Sequence, residues 1–271
     1  MRPCGPVDWL CPDYAFDIPV AANPGGALAR ARDAARGTDA DINILPAADR
    51  RKTLLAADME STIISCECVD ELAEIAGIRP QIARITERVM RGEIEFAGAL
   101  RERVALLKGL PLSALDRVYS ERVRFNAGAK ELVATMRANG ALTMVLSGGF
   151  TYFTQRVARA AGFDLDRANT LLDDGARLLG TVGEPILGRE AKLQAIHEIM
   201  TSRAIKMAQT LAVGDGANDV DMVSHAGLGV AWHAKPVLSA VAPVRIAHAD
   251  LTALLYLQGY RESEIVRPSA N

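Results

Sequence analysis

The chain has 271 residues, 49% hydrophobic and 24% charged, with a formal net charge of −2. That is enough to bury a sizeable core, in one large domain or in a core carrying an inserted module. The balanced charge leaves no electrostatic footprint for nucleic acid or an anionic membrane, and no apolar run approaches the roughly 18 residues of a membrane span.

The opening Met1-Arg2-Pro3-Cys4-Gly5-Pro6 lacks the apolar stretch of a secretory signal. Cys4, Cys11, Cys66 and Cys68 are too few and too clustered for a disulfide framework, so a cytoplasmic protein with reduced thiols is expected. Residues 1–50 read as a short extension. A strand at 16–20, an Ala- and Arg-rich helix at 26–36 and a strand at 41–46 would make a strand–helix–strand unit too small to fold alone. The apolar run Leu54-Leu55-Ala56-Ala57 then predicts a buried strand.

Residues 65–124 read as four helices. Val69, Leu72, Ala73 and Ala76 keep the i, i+3, i+4, i+7 spacing, and Ile82, Ile85, Val89 and then Leu100, Val104, Leu107 continue it. This stretch is an inserted helical cap, and residues 51–64 with 125–260 form the core. In the core, a helix at 129–139 stops at Gly140, and a strand at 142–146 ends in Ser147-Gly148-Gly149. A hairpin turns at Asp173-Asp174-Gly175, a helix carries Lys192, and a strand at 210–213 leads to Asp215. Short strands at 228–231 and 244–246 follow, and 261–271 is a polar, flexible tail. Strands alternating with helices predict an α/β fold: a doubly wound, parallel-sheet, Rossmann-like core with the inserted cap.

Three of these strands end in small or acidic polar residues: Asp58, Ser147 and Asp215. Each alone reads as a helix cap or a turn. Three at the carboxyl edge of one parallel sheet, where ligands bind, are better explained by one shared site. Paired carboxylates suit a hard cation such as Mg²⁺, and one of them can be a nucleophile. Gly214-Asp215-Gly216-Ala217-Asn218-Asp219 is the strongest signal, because two carboxylates and an amide around two glycines exceed what a plain turn needs. The hydroxyl of Ser147 and the amides of Gly148 and Gly149 suit phosphate oxygens at a helix N-terminus. Lys192, Glu67 and Arg103 taken singly would be solvated surface charges. Cys66 and Cys68 make a poor metal site by themselves, and His197, His225, His233 and His248 have no ligand spacing.

With these motifs assembled, residues 53–258 resemble the phosphoserine phosphatase family of the haloacid dehalogenase-like superfamily, and 15–50 resemble part of the N-terminal extension of its bacterial members. Asp58-Met59-Glu60-Ser61-Thr62 matches the first motif, usually Asp-Xaa-Asp-Ser-Thr. Ser147-Gly148-Gly149-Phe150, Lys192 and Val213 to Asp219 match the next three, and Gly92-Glu93-Ile94-Glu95-Phe96 through Val104 is typical of that family's cap.

The resemblance implies that Asp58 is the nucleophile and Glu60 the general acid–base. It implies Mg²⁺ on Asp58, Asp215 and the carbonyl of Glu60, with Asp219 in support. Ser147, Gly148, Lys192 and Asn218 would hold phosphate, Glu67 the substrate ammonium, Arg103 its carboxylate, and Phe96 would shield the pocket. The implied reaction is hydrolysis of O-phospho-L-serine through an aspartyl phosphate, the last step of serine biosynthesis. The implied partner is this small molecule, with no nucleic acid or membrane, and a homodimer is the one assembly considered. Two departures stand out: Glu60 replaces the usual Asp, and the extension is short. The alternatives are a phosphatase or phosphotransferase for another small phosphate, and a paralogue impaired by Glu60.

Overall fold

The computed structural model describes residues 4–21 and 26–268. In chain order the elements are β1 (Asp8–Cys11), β2 (Ala15–Asp17), α1 (Ala27–Ala34), β3 (Leu54–Asp58), α2 (Cys68–Ala76), α3 (Arg79–Met90), α4 (Phe96–Leu106) and α5 (Ser113–Glu121). There follow α6 (Ala129–Ala138), β4 (Leu142–Phe150), α7 (Thr151–Ala161), β5 (Leu165–Asn169), β6 (Leu171–Asp173), β7 (Leu178–Val182) and α8 (Arg189–Arg203). The chain continues through β8 (Thr210–Gly214), α9 (Val220–His225), β9 (Leu228–Trp232), α10 (Pro236–Val241), β10 (Val244–Ile246) and α11 (Ala253–Leu257).

Six strands form one sheet in the order β10-β9-β8-β3-β4-β5, every neighbouring pair parallel. The alternation of strands and helices predicts this. β3 is central, and all five of its residues are buried. Leu55 and Ala57 face one apolar layer with Leu132, Val133 and Leu254, while Leu54 and Ala56 face the other with Ile196, Met222 and Leu238. A strand covered on both faces needs an unbroken apolar run, and this is why Leu54 to Ala57 has no alternation. Each buried leucine contributes about 1.5–3 kcal/mol.

Helices α2–α5 lie between β3 and β4 and pack Leu72, Leu100, Val104, Leu107, Leu115 and Val118 into the first layer. The antiparallel β6–β7 hairpin packs β7 on α4. No helix among the described residues is long and apolar enough to cross a membrane.

The strand–helix–strand unit expected in residues 1–50 is corrected by the structure. β1 and β2 form an antiparallel hairpin, α1 follows, and 41–46 is not a strand. There the side chains take the place of the backbone. Asp41 accepts the amides of Ala247, His248 and Ala249, and Asn43 bonds both the amide and the carbonyl of Arg245 on the edge strand β10. Short Asx side chains compete with ladder bonds in this way. The expected flexible tail is corrected as well. Ile265 is buried, the Val266 amide donates to Thr135 Oγ1, and Arg261 pairs with Asp8. The rest of that expectation, 269–271, lies outside the described residues.

Candidate active site

Register brings the motif residues together. Asp58 at the end of β3 lies opposite Leu146 of β4, and Ala57 lies opposite Val213 of β8. The chain therefore delivers Asp58, Ser147 and Asp215 to one edge of the sheet. After Asp58 the backbone turns sharply, with Ser61 at φ +57°, so that the amides of Ile63 and Ile64 both return to the Met59 carbonyl. A left-handed serine is costly and persists only where its surroundings enforce it.

Asp58, Asp215 and Asp219 are buried, with carboxylate oxygens within 4.8 Å of one another. Gly214 makes this possible, because a Cβ there would lie 2.4 Å from Asp219 Cγ. Asp219 accepts the amides of Asp215 and Gly216 on one oxygen, and Lys192 Nζ at 2.7 Å on the other. Lys192, in the first turns of α8, is fully buried and also bonds Asp58 at 2.5 Å. Burial disfavours its charge, but Asp219 and Asp58 outweigh this and hold the ammonium protonated. Burial and the neighbouring Asp219 push Asp58 well above the usual carboxylate range, against the pull of Lys192. Burial pushes Asp215 up too, against the pull of Lys235. Three buried carboxylates thus stand against two lysines, Lys192 and Lys235, and their mutual repulsion helps to raise Asp58 and Asp215. Hard oxygen donors with excess negative charge fit a divalent cation such as Mg²⁺.

The Glu60 carboxylate is not in that cluster. One oxygen accepts the Cys68 amide at the start of α2 at 2.7 Å, and the other accepts Ser147 Oγ at 3.2 Å. Burial and then Glu67 push its pKa up to about 7. The expected cradle of two glycine amides is reduced, since the Gly149 amide donates to Ser147 Oγ at 2.9 Å.

Residues of α2 and α4 border this edge. The Phe96 ring packs on Gly148 and Gly188, where added Cβ atoms would lie 3.0 and 3.4 Å from it. Glu67 caps α2 and accepts the Ser61 hydroxyl at 2.8 Å. Arg103 is half-buried, and its Nε donates to the Ala99 carbonyl. Burial lowers the pKa of its guanidinium, while the carboxylates of Glu60, Asp70 and Glu67 oppose the shift. A guanidinium remains charged in any case. Asn218 is half-buried beside Gly216. Cys66 and Cys68 are free thiols.

Two site residues escape the sequence reading. Lys235, just before the Pro236 that opens α10, pairs with Asp215 at 3.0 Å. Asn169, buried at the end of β5, donates to the carbonyls of Gly148 and Leu187 and accepts the Leu187 amide. It ties the Ser-Gly-Gly loop to the approach to α8. A Lys-Pro after a strand and a polar residue at a strand end are the only local signals they carry.

A family model for haloacid dehalogenase-like hydrolases matches residues 55–224. A phosphoserine phosphatase of Streptococcus thermophilus is 43% identical over 74% of this chain and 93% of its own length. One from Archaeoglobus fulgidus is 44% identical over 76% of this chain, and the match spans 60% of that longer relative. A solved structure described as a phospho-aspartyl intermediate analogue of phosphoserine phosphatase superposes with a TM-score of 0.70. It is 34% identical and is covered over 98% of its length, against 76% of this chain. The chain belongs to the haloacid dehalogenase-like hydrolases, in the phosphoserine phosphatase family.

Proposed function

We propose that this enzyme hydrolyses O-phospho-L-serine to serine and phosphate through a phosphoryl group carried on Asp58. One observation carries the reading: a buried aspartate, bonded to a buried lysine and beside two further carboxylates, lies under a cap that brings an acid and an arginine to the same opening. An amino acid is read by one anion and one cation, and the cap supplies Glu67 and Arg103.

Asp58 attacks phosphorus, and the bond from phosphorus to the serine oxygen breaks. Glu60 gives its proton to that oxygen. It then takes one from a water, which attacks the aspartyl phosphate and regenerates Asp58. A group with a pKa of about 7 can do both near neutrality. Lys192, Ser147, Gly148 and Asn218 hold the phosphoryl oxygens, and Phe96 excludes bulk water. Asp58, Asp215 and the Glu60 carbonyl, with Asp219 in support, would hold Mg²⁺, which would supply the positive charge that lets two anions meet. The expected place of this reaction is the end of serine biosynthesis.

Two outcomes follow from the donor sets. EDTA should abolish phosphate release and Mg²⁺ should restore it, whereas Cys66→Ser with Cys68→Ser should leave metal dependence unchanged. Loss of Mg²⁺ binding in that double variant, read by calorimetry, would place the metal elsewhere. Arg103→Ala should remove a charge-assisted interaction of about 1.5–3 kcal/mol. This is roughly a 10- to 150-fold loss in kcat/KM for phosphoserine. The same variant should barely change p-nitrophenyl phosphate, which has no carboxylate. Equal losses on both substrates would show that Arg103 does not read the carboxylate.

A further inference from the structure

The second glycine of Ser147-Gly148-Gly149 has a specific job that its backbone conformation does not explain. Gly149 is not among the described residues with positive φ, so an alanine could adopt its conformation. What the glycine provides is space. A Cβ on Gly149 would lie 2.5 Å from Glu60 Oε2, 3.0 Å from Glu60 Cδ and 3.0 Å from Ser147 Oγ. The first distance is one that packed carbon and oxygen atoms do not tolerate.

The Glu60 carboxylate fills that space. Its position is fixed from two other directions. The Cys68 amide, at the first residue of the cap helix α2, donates to Oε1, and the Ser147 hydroxyl donates to Oε2. Ser147 is itself set by the Gly149 amide, which donates to its Oγ. With that lone pair occupied, the hydroxyl proton is directed toward Glu60. Gly149 therefore acts twice, through an absent side chain and through its N–H.

We infer that Gly149 is a positioning residue for Glu60, giving the longer acid the room that an aspartate, one methylene shorter, would not need. The catalytic part of this inference rests on reading Glu60 as the proton donor; the packing part does not. The opposing possibility is that a methyl group at this position harms Ser147 or the phosphate rather than Glu60. The two differ in how Gly149→Ala responds to a second substitution at residue 60.

The experiment is a double-mutant cycle of Gly149→Ala and Glu60→Asp with two readouts: kcat and KM for phosphoserine with Mg²⁺, and the thermal midpoint of metal-free protein. In the native background Gly149→Ala should cut kcat by on the order of 10²-fold, the cost of moving a catalytic group by about 1 Å. KM should change little and the midpoint should fall. In the Glu60→Asp background the same substitution should cost no more than about tenfold in kcat and should lower the midpoint much less. Equal losses in both backgrounds overturn the inference, because a clash with Ser147 or phosphate would persist. If Gly149→Ala alone were insoluble, recovery of folded protein on adding Glu60→Asp would support it, and failure of both would overturn it. If the protein turned over no phosphoserine, the functional reading would fail, and coupling or additivity of the midpoints would still decide about Gly149.

Discussion

Asp58→Asn should lower kcat for phosphoserine by at least about 10⁴-fold, since removing a hydrolase nucleophile costs on the order of 10⁶. The amide lacks the negative charge, and its neutral oxygen is too weak a nucleophile to attack phosphorus. The fold should survive, because Asp58 lies in a site where burial and two neighbouring carboxylates already disfavour its charge. Removing that charge relieves repulsion, while Lys192 keeps its bond to Asp219. The thermal midpoint of metal-free protein should therefore hold or rise. Phosphoserine hydrolysis above contamination level, with the variant folded, would remove Asp58 from its role.

Glu60 gives the second large effect. Loss of a general acid–base costs about 10²–10⁴-fold, so Glu60→Ala should fall that far below the native kcat. Glu60→Asp tests geometry separately from chemistry, because the two acids differ little in intrinsic acidity, about 4.3 against 3.9. Two effects compete in it. The shorter side chain restores the family's usual residue, but it gives up contacts that now hold Glu60 to the Cys68 amide and the Ser147 hydroxyl. The expected order is Glu60→Asp at or above native, and Glu60→Ala far below both. A native-like rate in Glu60→Ala would make Glu60 a bystander. A silent native protein revived by Glu60→Asp would favour an impaired paralogue.

What the sequence made legible follows from distance along the chain. The sheet and its carboxyl edge were readable because apolar runs and the polar residues that end them are adjacent, as with Leu54 to Asp58 and Leu211 to Asp215. Lys192 is different. Its residue type and helix suggest a solvated charge, and only contacts 134 and 27 residues away make it a buried bridge. Lys235 and Asn169 were missed for the same reason, and Asn169 also because Leu165-Asp166-Arg167-Ala168-Asn169 is too polar to read as a strand. Residues 41–46 carried a strand-like pattern, but Asp41 and Asn43 bind the sheet edge through their side chains. Polarity alone predicts a loose tail, although Ile265 and Arg261 anchor it.

The most direct test is phosphate release by the native protein from phosphoserine, phosphothreonine, phosphohomoserine and p-nitrophenyl phosphate, with Mg²⁺ and with EDTA. The highest kcat/KM should fall on phosphoserine, and all turnover should stop in EDTA. No phosphoserine turnover with Mg²⁺ present, or a clear preference for another of the four esters, would contradict the account.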